Sequence, residues 1–340
     1  MKDILVRLTS GETLTNFEIN QAMERLFSDD VSDSEISAFL IGLKAKGETV
    51  EEIAGLVKGI RAKALPFKKK FANVMDNCGT GGDGVKSFNV SSTSAFVIAA
   101  AGIPVAKHGN RSVSSKTGSA DVLEELGIDL NLSSERIEEI IEEVGIAFLF
   151  APHVHPKIKR IQKVRKDLGI PTVFNLLGPL LNPVELDSQF LGVYRRDLAK
   201  MFAEVLNALG RKRAVVLNGA GSMDEASLQG ENYLVMLENG HISERILRPE
   251  EVGLSIYPNE AIVGGYAREN AEILRNVLKG KRGAYRDTVL LNAGIGIYVG
   301  GKASSIQAGV ELAEELIDSG AALDKLNRLI EASNVKTEVI

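Results

Sequence analysis

Across the first 65 positions, apolar residues recur at the three-to-four spacing of helices. Ile19, Met23 and Leu26 form one stripe, Ile36, Phe39, Leu40 and Leu43 a second, and Ile53, Leu56, Val57 and Ile60 a third. Each stripe follows a Ser or Thr with Glu three residues on: Thr15 and Glu18, Ser32 and Glu35, Thr49 and Glu52. In such a capping box, side chains satisfy the backbone donors that a helix start leaves unpaired. Helices this short are marginal alone, so the three should pack on one another or on a partner. Pro66-Phe-Lys-Lys-Lys-Phe71 then reads as a linker.

From Ala72 the pattern changes to short strand-like runs at 73–77, 105–107, 147–150, 190–194 and 214–217. Helical stretches at 92–101, 120–126, 134–144 and 196–209 alternate with them, as expected of an α/β layer fold with a mostly parallel central sheet flanked by helices. Runs 233–237 and 241–247, joined through Glu238-Asn239-Gly240, read as a hairpin. From about Glu260 to Ser333 the pattern is helical, and no repeat or low-complexity tract interrupts it. The expected organisation is a small helical domain, 1–65, and a larger α/β domain, 72–340.

A chain of 340 residues can bury two sizeable cores, and 44% hydrophobic with 25% charged residues is ordinary for a globular protein. The net charge of −5 speaks against a general nucleic-acid binder, so any anionic ligand must be met by a local concentration of cations and N–H groups. The single cysteine, Cys78, excludes an internal disulfide and fits a reducing compartment; a small buried residue is its plainer reading than a nucleophile. No apolar run is long enough to span a membrane and Met1-Lys-Asp starts no secretion signal, so a cytoplasmic protein is expected.

Within residues 76–121, four clusters suit a phosphorylated ligand: Gly79-Thr-Gly-Gly-Asp-Gly84, Asn89-Val-Ser-Ser-Thr93, Lys107-His-Gly-Asn-Arg111 and Gly118-Ser-Ala-Asp121. Glycines let backbone N–H groups approach an anion that a Cβ would keep away. The hydroxyls of Ser91, Ser92 and Thr93 open an Ala-rich helical segment, whose N-terminus would favour phosphate. Lys107 and Arg111 would add full charges. The loop has neither the Gly-Lys-Ser/Thr ending of a P-loop nor the dinucleotide-binding glycine spacing.

These clusters resemble the anthranilate phosphoribosyltransferase family, marked by Gly-Thr-Gly-Gly-Asp (here Gly79 to Asp83), Asn-x-Ser-Thr (Asn89 to Ser92) and Lys-His-Gly-Asn-Arg-Ser-Val-Ser-Ser (Lys107 to Ser115). Further matches follow in the family's order: Phe148 to Pro152, His155-Pro156, Arg165, Phe174 to Pro179, Asn182-Pro183 and Asp224-Glu225. The resemblance implies transfer of phosphoribose from phosphoribosyl pyrophosphate (PRPP) to the amine of anthranilate, with Mg²⁺ as cofactor. It also implies a cleft between the two domains, a segment 171–183 that returns to the helical domain, and a homodimer formed through that domain.

Residue by residue, the resemblance assigns PRPP to Gly79, Gly82, Asp83, Ser87, Asn89, Val90, Ser91, Ser92, the stretch Lys107, His108, Gly109, Asn110, Arg111, Ser112, Val113, Ser114, Ser115, and Ser119. Anthranilate falls to Gly79, Asn110 and Arg165, with His108, His155, Gly178 and Pro179 along its path; Mg²⁺ falls to Ser91, Asp224 and Glu225. Each assignment has a plainer counterpart. Ser91 reads equally as a helix cap, Lys107 as a surface lysine, Arg165 as a helix-coating arginine and Asp224-Glu225 as a solvated acidic pair. His153 and His155 have the spacing of a metal pair, but no third ligand is evident. No residue stands out as a general base.

Three positions depart from the common family pattern: Ser92 stands where Thr is usual, and Asn218 and Ser222 where His and Gly are often found. Ser222 is the one expected to alter the turn that aims Asp224. Two other readings compete, a pyrimidine nucleoside phosphorylase and a non-enzymatic nucleic-acid-binding relative. Lys107 to Arg111 with Asp224-Glu225 favours PRPP and metal over the first, and the acidic net charge disfavours the second.

Overall fold

The computed structural model describes residues 1–111 and 116–335. The N-terminal region is four helices: α1 (Lys2–Thr9), α2 (Asn16–Leu26), α3 (Asp33–Lys46) and α4 (Val50–Arg61). All three predicted capping boxes form, at Thr15, Ser32 and Thr49. Helix α1 has no such box, its cap being Met1, so only Ile4 and Leu8 on its buried face mark it. Glu52 also works beyond its cap: fully buried, it accepts from the N–H of Leu14 at 2.9 Å and from Lys46 Nζ at 2.8 Å, which ties the α2 approach to the end of α3.

Seven strands form one sheet: β1 (Met75–Gly79), β2 (Val105–Gly109), β3 (Ile146–Phe150), β4 (Ser188–Gly192), β5 (Arg213–Asn218), β6 (Asn232–Glu238) and β7 (His241–Leu247). Their order is β3-β2-β1-β4-β5-β6-β7, parallel through β5 and closed by the predicted antiparallel hairpin. Asn239 and Gly240 take the positive φ values, 48° and 87°, that a tight two-residue turn requires. Strand β4 starts two residues before the apolar run at 190 because buried Ser188 and Gln189 extend it. The Gln189 amide is satisfied there by the Pro179 carbonyl at 2.7 Å and Arg211 Nε at 3.2 Å.

The connections are α5 (Val90–Ala100), α6 (Ser119–Glu125), α7 (Ser134–Val144), α8 (Ala151–Val154), α9 (Lys159–Leu168), α10 (Phe174–Leu177) and α11 (Ala199–Ala208), followed by α12 (Ala267–Leu278), α13 (Ala284–Val299), α14 (Ile306–Asp318) and α15 (Ala321–Ser333). Alternation along the strands sorts the core into two layers. Phe190, Val215, Leu217 and Leu234 face a cluster built on α5, α7 and α12 to α15. Leu191, Val193, Ala214, Val216 and Val235 face the other cluster, which joins α11 to the N-terminal helices. Ile158, Ile161, Val164, Val173, Phe174, Leu177, Leu180 and Leu181 belong to that second cluster, so the chain rejoins the helical layer from about Ile158 onward.

The strand order decides where a ligand can sit. The chain runs from β1 to β2 and β3 on one side, then crosses to β4 and β5 on the other. Loops leaving β1 and β4 therefore diverge and open a crevice at the carboxyl ends of those strands, the usual binding place in open α/β sheets.

Candidate active site

Gly79 and Gly192, paired across β1 and β4, floor this crevice. The segment after β5 folds back over them, through mutual backbone hydrogen bonds between Gly219 and Met223 at 2.8 and 3.2 Å, and places Asp224 across the strand ends. A Cβ at 79 would lie 2.3 Å from Asp224 Oδ2, and one at 192 would lie 1.7 Å from the Asp224 carbonyl. Only glycine admits the acidic segment here. The preceding turn holds Ser222 at φ 61°, the left-handed conformation that glycine would also adopt, so the departure at 222 leaves the turn intact at some backbone strain. Asn218 donates its amide to the Val193 carbonyl at 2.8 Å and steadies the same loop.

Asp224 Oδ2 accepts the Gly81 N–H at 2.6 Å, and Glu225 Oε1 accepts the Ser91 N–H at 3.1 Å. Burial, reinforced by the charge of Asp83, raises the Asp224 carboxyl above the ordinary range. Burial and then Asp224 do the same to Glu225, partly offset by Lys107. One oxygen of Asp83 accepts the Val85 N–H at 3.0 Å, while the other is buried without a hydrogen-bond partner among the described residues. Acids crowded in this way favour a cation among them.

Helix α5 begins at Val90, two residues before the apolar segment that predicted it, and its cap is Asn89. Ser91 is thus inside the first turn and not the cap, with its N–H committed to Glu225. The Ser92 hydroxyl is buried and has no partner among the described residues. Gly81, Gly82 and Gly84 all have positive φ, which explains the glycine content of the loop. The loop's far end is pinned: Ser87 bridges Val263, the Phe88 N–H donates to the Ile262 carbonyl, and the Gly264 N–H donates to the Lys86 carbonyl. Val90 is buried at the helix start.

Lys107 is not a surface lysine. It is 3% exposed, and its ammonium donates to the Asn77 carbonyl beneath the Gly-rich loop. Asn77 in turn donates to the Ser91 carbonyl at 2.8 Å, joining β1, β2 and α5 at one point. Gly109 and Asn110 continue outward, where the Ser119 hydroxyl donates to the Asn110 carbonyl at 3.2 Å. Arg111 turns away from the cluster: it is exposed and paired with Asp121 at 2.8 Å and Glu124 at 2.6 Å. Ser112, Val113, Ser114 and Ser115 lie outside the described residues.

Beside this cluster is a drier region. The rings of His108 and His155 meet edge to face, with centroids 5.4 Å apart. His155 Nε2 is bonded to the Leu181 carbonyl at 2.9 Å, while His155 Nδ1 and His108 Nε2 are buried without partners among the described residues. Burial holds His108 down at about 3 and His155 at about 4, so both imidazoles are neutral near pH 7. The Pro179 carbonyl accepts from Gln189, which positions Gly178 and Pro179 beside them. Arg165, half-buried on α9, lies over the Phe174 ring at 5.2 Å. Among the described residues no carboxylate pairs with it.

Two alternatives fall away. His153 is bonded to the Leu132 carbonyl at 2.8 Å, away from His155, so the two do not form a metal pair. Burial pushes the Cys78 thiol up, against any role as a nucleophile. Asn77, Gln189, Arg211 and Asn270, which the sequence motifs do not mark, hold the site from behind together with Asn182 of the Asn182-Pro183 match. Buried amides in strands and helices carry no periodic signal; of the four unmarked residues, only Asn77 lies close to a motif, the Gly79 to Gly84 loop.

The sequence matches the family model described as glycosyl transferase family, helical bundle domain, over residues 2–64, and that described as glycosyl transferase family, a/b domain, over residues 71–323. Anthranilate phosphoribosyltransferases of Bacillus cereus strain B4264 and Bacillus anthracis strain A0248 are 56% and 55% identical, each over 99% of both chains. Among solved structures, the anthranilate phosphoribosyltransferase of Thermus thermophilus superposes with a TM-score of 0.92 at 42% identity, covering 98% of this chain and 100% of that one. The Saccharomyces cerevisiae enzyme in complex with PRPP and Mg gives 0.89 at 28% identity, covering 98% of both. With end-to-end agreement in sequence and in fold, the chain belongs to the anthranilate phosphoribosyltransferase family.

Proposed function

We infer that this chain transfers the 5-phosphoribosyl group from PRPP to the amine of anthranilate, yielding N-(5-phosphoribosyl)anthranilate and pyrophosphate in tryptophan biosynthesis. The observation that carries the reading is the meeting of the Gly79–Gly84 loop, the α5 N-terminus, Lys107 and the Asp224-Glu225 segment at one switch point of the sheet. Displacement at an anomeric carbon builds positive charge on the ribose and negative charge on the leaving group. A protein helps mainly by positioning and by neutralising the departing anion.

The donor is assigned to Gly79, Gly82, Asp83, Ser87, Asn89, Val90, Ser91, Ser92, Lys107 to Ser115, and Ser119. The glycine-rich loop and the start of α5 would meet phosphate through backbone N–H groups other than those of Gly81 and Ser91, which are bonded to Asp224 and Glu225. Arg111 contributes its backbone, its guanidinium being occupied by Asp121 and Glu124. The acceptor is assigned to Gly79, Asn110 and Arg165, with His108, His155, Gly178 and Pro179 walling the slot. A guanidinium that lies over the Phe174 ring with no carboxylate partner among the described residues suits the carboxylate of anthranilate bidentately, and neutral imidazoles suit its flat ring.

Ser91, Asp224 and Glu225 would hold Mg²⁺. The crowded carboxylates, with Asp83 carrying an unpartnered oxygen, fit a hard cation. Among the described residues no group of three His, Cys, Asp or Glu side chains is arranged to hold a metal ion, so Mg²⁺ would have to draw most of its shell from water and phosphate. When bound, Mg²⁺ supplies charge neutralisation for the pyrophosphate. The amine proton needs no protein base, because an N-substituted anilinium is acidic enough to release it to water.

The 1–65 region with 171–183 forms the helical domain, and 72–340 the α/β domain; the shared apolar cluster of Val173, Phe174, Leu177 and Leu180 with α2 to α4 supports the pairing. A cytoplasmic homodimer docked through the helical domain completes the reading. Val6 on α1 and Phe17 on α2, 57% and 70% exposed, support a docking surface there. No helix among the described residues is long and apolar enough to cross a membrane.

Loss of anthranilate fluorescence on mixing with PRPP tests the activity. Turnover should require Mg²⁺ and vanish on chelation. Asp224→Asn together with Glu225→Gln should strongly weaken the metal dependence. Metal-independent turnover, or phosphorolysis of pyrimidine nucleosides without PRPP consumption, would overturn the assignment.

A further inference from the structure

We propose that Asn270 is a positioning residue that sets the amide of Asn89 so that its NH₂ group, not its oxygen, faces the sugar-phosphate donor. The proposal rests on the assignment of Asn89 to the donor site. Asn270 is buried in the first turns of α12, 2% exposed, on an element the donor motifs do not include.

An amide side chain can be turned either way, and only its hydrogen bonds decide which end is oxygen. Here the decision starts at a backbone N–H, which can only donate. The Gly265 N–H lies 2.7 Å from Asn270 Oδ1, so that end of Asn270 must be oxygen. The other end, Nδ2, must then donate, and it lies 2.9 Å from Asn89 Oδ1. With its oxygen so held, Asn89 offers Nδ2 on its remaining side, where it has no partner among the described residues. One backbone donor thus dictates the polarity of an amide two steps away, and the end left free is a donor suited to ribose or phosphate oxygens.

The geometry around Asn270 keeps this chain of contacts tight. A Cβ at Gly264 would lie 2.6 Å from Asn270 Oδ1 and 2.8 Å from Phe88 Cα, so glycine there lets the turn press against both. The Gly265 carbonyl accepts from the Thr117 hydroxyl at 3.0 Å, which links the same turn to the end of the 107–118 segment. Tyr285 fixes the turn from behind, its hydroxyl donating to the Val263 carbonyl at 2.8 Å and its ring meeting Phe88 edge to face at 5.0 Å. The donor loop therefore rests on α12 and α13 as well as on the sheet.

A double-mutant cycle on the full chain with Mg²⁺, PRPP and anthranilate tests the assignment. Asn270→Ala removes the relay. Asn270→Asp keeps the acceptor for Gly265 but cannot donate to Asn89, and so favours the reversed amide. Each should raise the PRPP KM by roughly tenfold, the scale of one charge-assisted hydrogen bond, while the anthranilate KM shifts much less. In an Asn89→Ala background, Asn270→Ala should add less than about twofold, because the amide it orients is gone. If Asn270→Ala acts equally with and without Asn89, or shifts both KM values alike, the relay is refuted. If Asn89→Ala alone leaves the PRPP KM unchanged, the placement of Asn89 in the donor site fails, and the relay with it.

Discussion

Asp224→Asn should make the metal-free protein more stable while it weakens the response to Mg²⁺, with a stability gain that grows with pH. Burial and the neighbouring Asp83 raise the folded-state pKa of Asp224 above its unfolded value. Between those values the folded chain holds a proton that the unfolded chain has lost, so stability falls as pH rises through the window. Below the unfolded value, about 4, the carboxyl is neutral in both states and asparagine is nearly equivalent. Above the raised value the full cost of a buried charge beside another charge is felt. Two unit charges about 4 Å apart repel by about 4 kcal/mol at an effective dielectric near 20. The Gly81 N–H at 2.6 Å recovers part of this, and asparagine can still accept it while offering its NH₂ to Asp83. The variant should therefore gain roughly 1–3 kcal/mol over the parent near pH 8, in the range for relieving a poorly compensated buried charge, and almost nothing near pH 4. Urea unfolding in chelator across this range reads the difference directly. His108 and His155, which lose stability as pH falls, cancel in the comparison because both proteins contain them. Saturating Mg²⁺ should stabilise the parent and leave the variant nearly unmoved. A pH-independent difference, or a parent that gains on the variant as pH rises, would refute the account of this cluster.

Arg165→Ala should raise the anthranilate KM by roughly 10- to 100-fold, as for a lost charged hydrogen bond, with the PRPP KM almost unchanged; equal shifts in steady-state titrations would exclude a carboxylate clamp. Ser222 sits at φ 61°, so Ser222→Val should unfold less stably than Ser222→Gly by about 1–2 kcal/mol, and matching thermal midpoints would refute strain at that turn.

The legible parts of the chain were those in which a local pattern has one physical solution. Three capping boxes specified three helix starts, and Asn239-Gly240 specified a hairpin turn, because each motif satisfies or bends its own backbone. Glycines at 81, 82 and 84 marked a turning loop for the same reason. The reasons for Gly192 and Gly264 were hidden. What they accommodate, the Asp224 carbonyl and Asn270, lies far away in sequence and is brought close only by the fold. The sequence pattern starts strand β4 late because buried Ser188 and Gln189 look exposed to any hydrophobic count, and it starts α5 two residues late because Val90 and Ser91 precede the continuous apolar run. Burial of Lys107 is equally invisible, because its partner, the Asn77 carbonyl on β1, and the Glu225 charge beside it, from the segment between β5 and β6, come from distant parts of the chain.

The two halves of the site are held by different means, and this has a consequence for how they respond to change. The residues proposed for the donor ride on strand ends and on α5, inside one apolar layer, so their spacing is fixed by the sheet. The proposed acceptor side is assembled across a seam: Gly79 and Asn110 come from strand ends, while Arg165, Gly178 and Pro179 come from a segment packed with the helical layer. Buried polar groups set the register of that seam. Asn182 donates to Asp76 Oδ2 at 3.0 Å and to the Ala106 carbonyl at 2.6 Å, Gln189 holds the Pro179 carbonyl, and Arg61 of α4 reaches the Val184 carbonyl at 3.1 Å. Apolar contacts alone would let the layers slide by fractions of an ångström, but hydrogen bonds between buried groups impose distance and direction and are costly to break. Asp76 also accepts the His108 N–H at 3.3 Å, so the carboxylate that grips the seam fixes a wall of the acceptor slot. Perturbations along this seam should thus appear first in acceptor binding, before donor affinity changes.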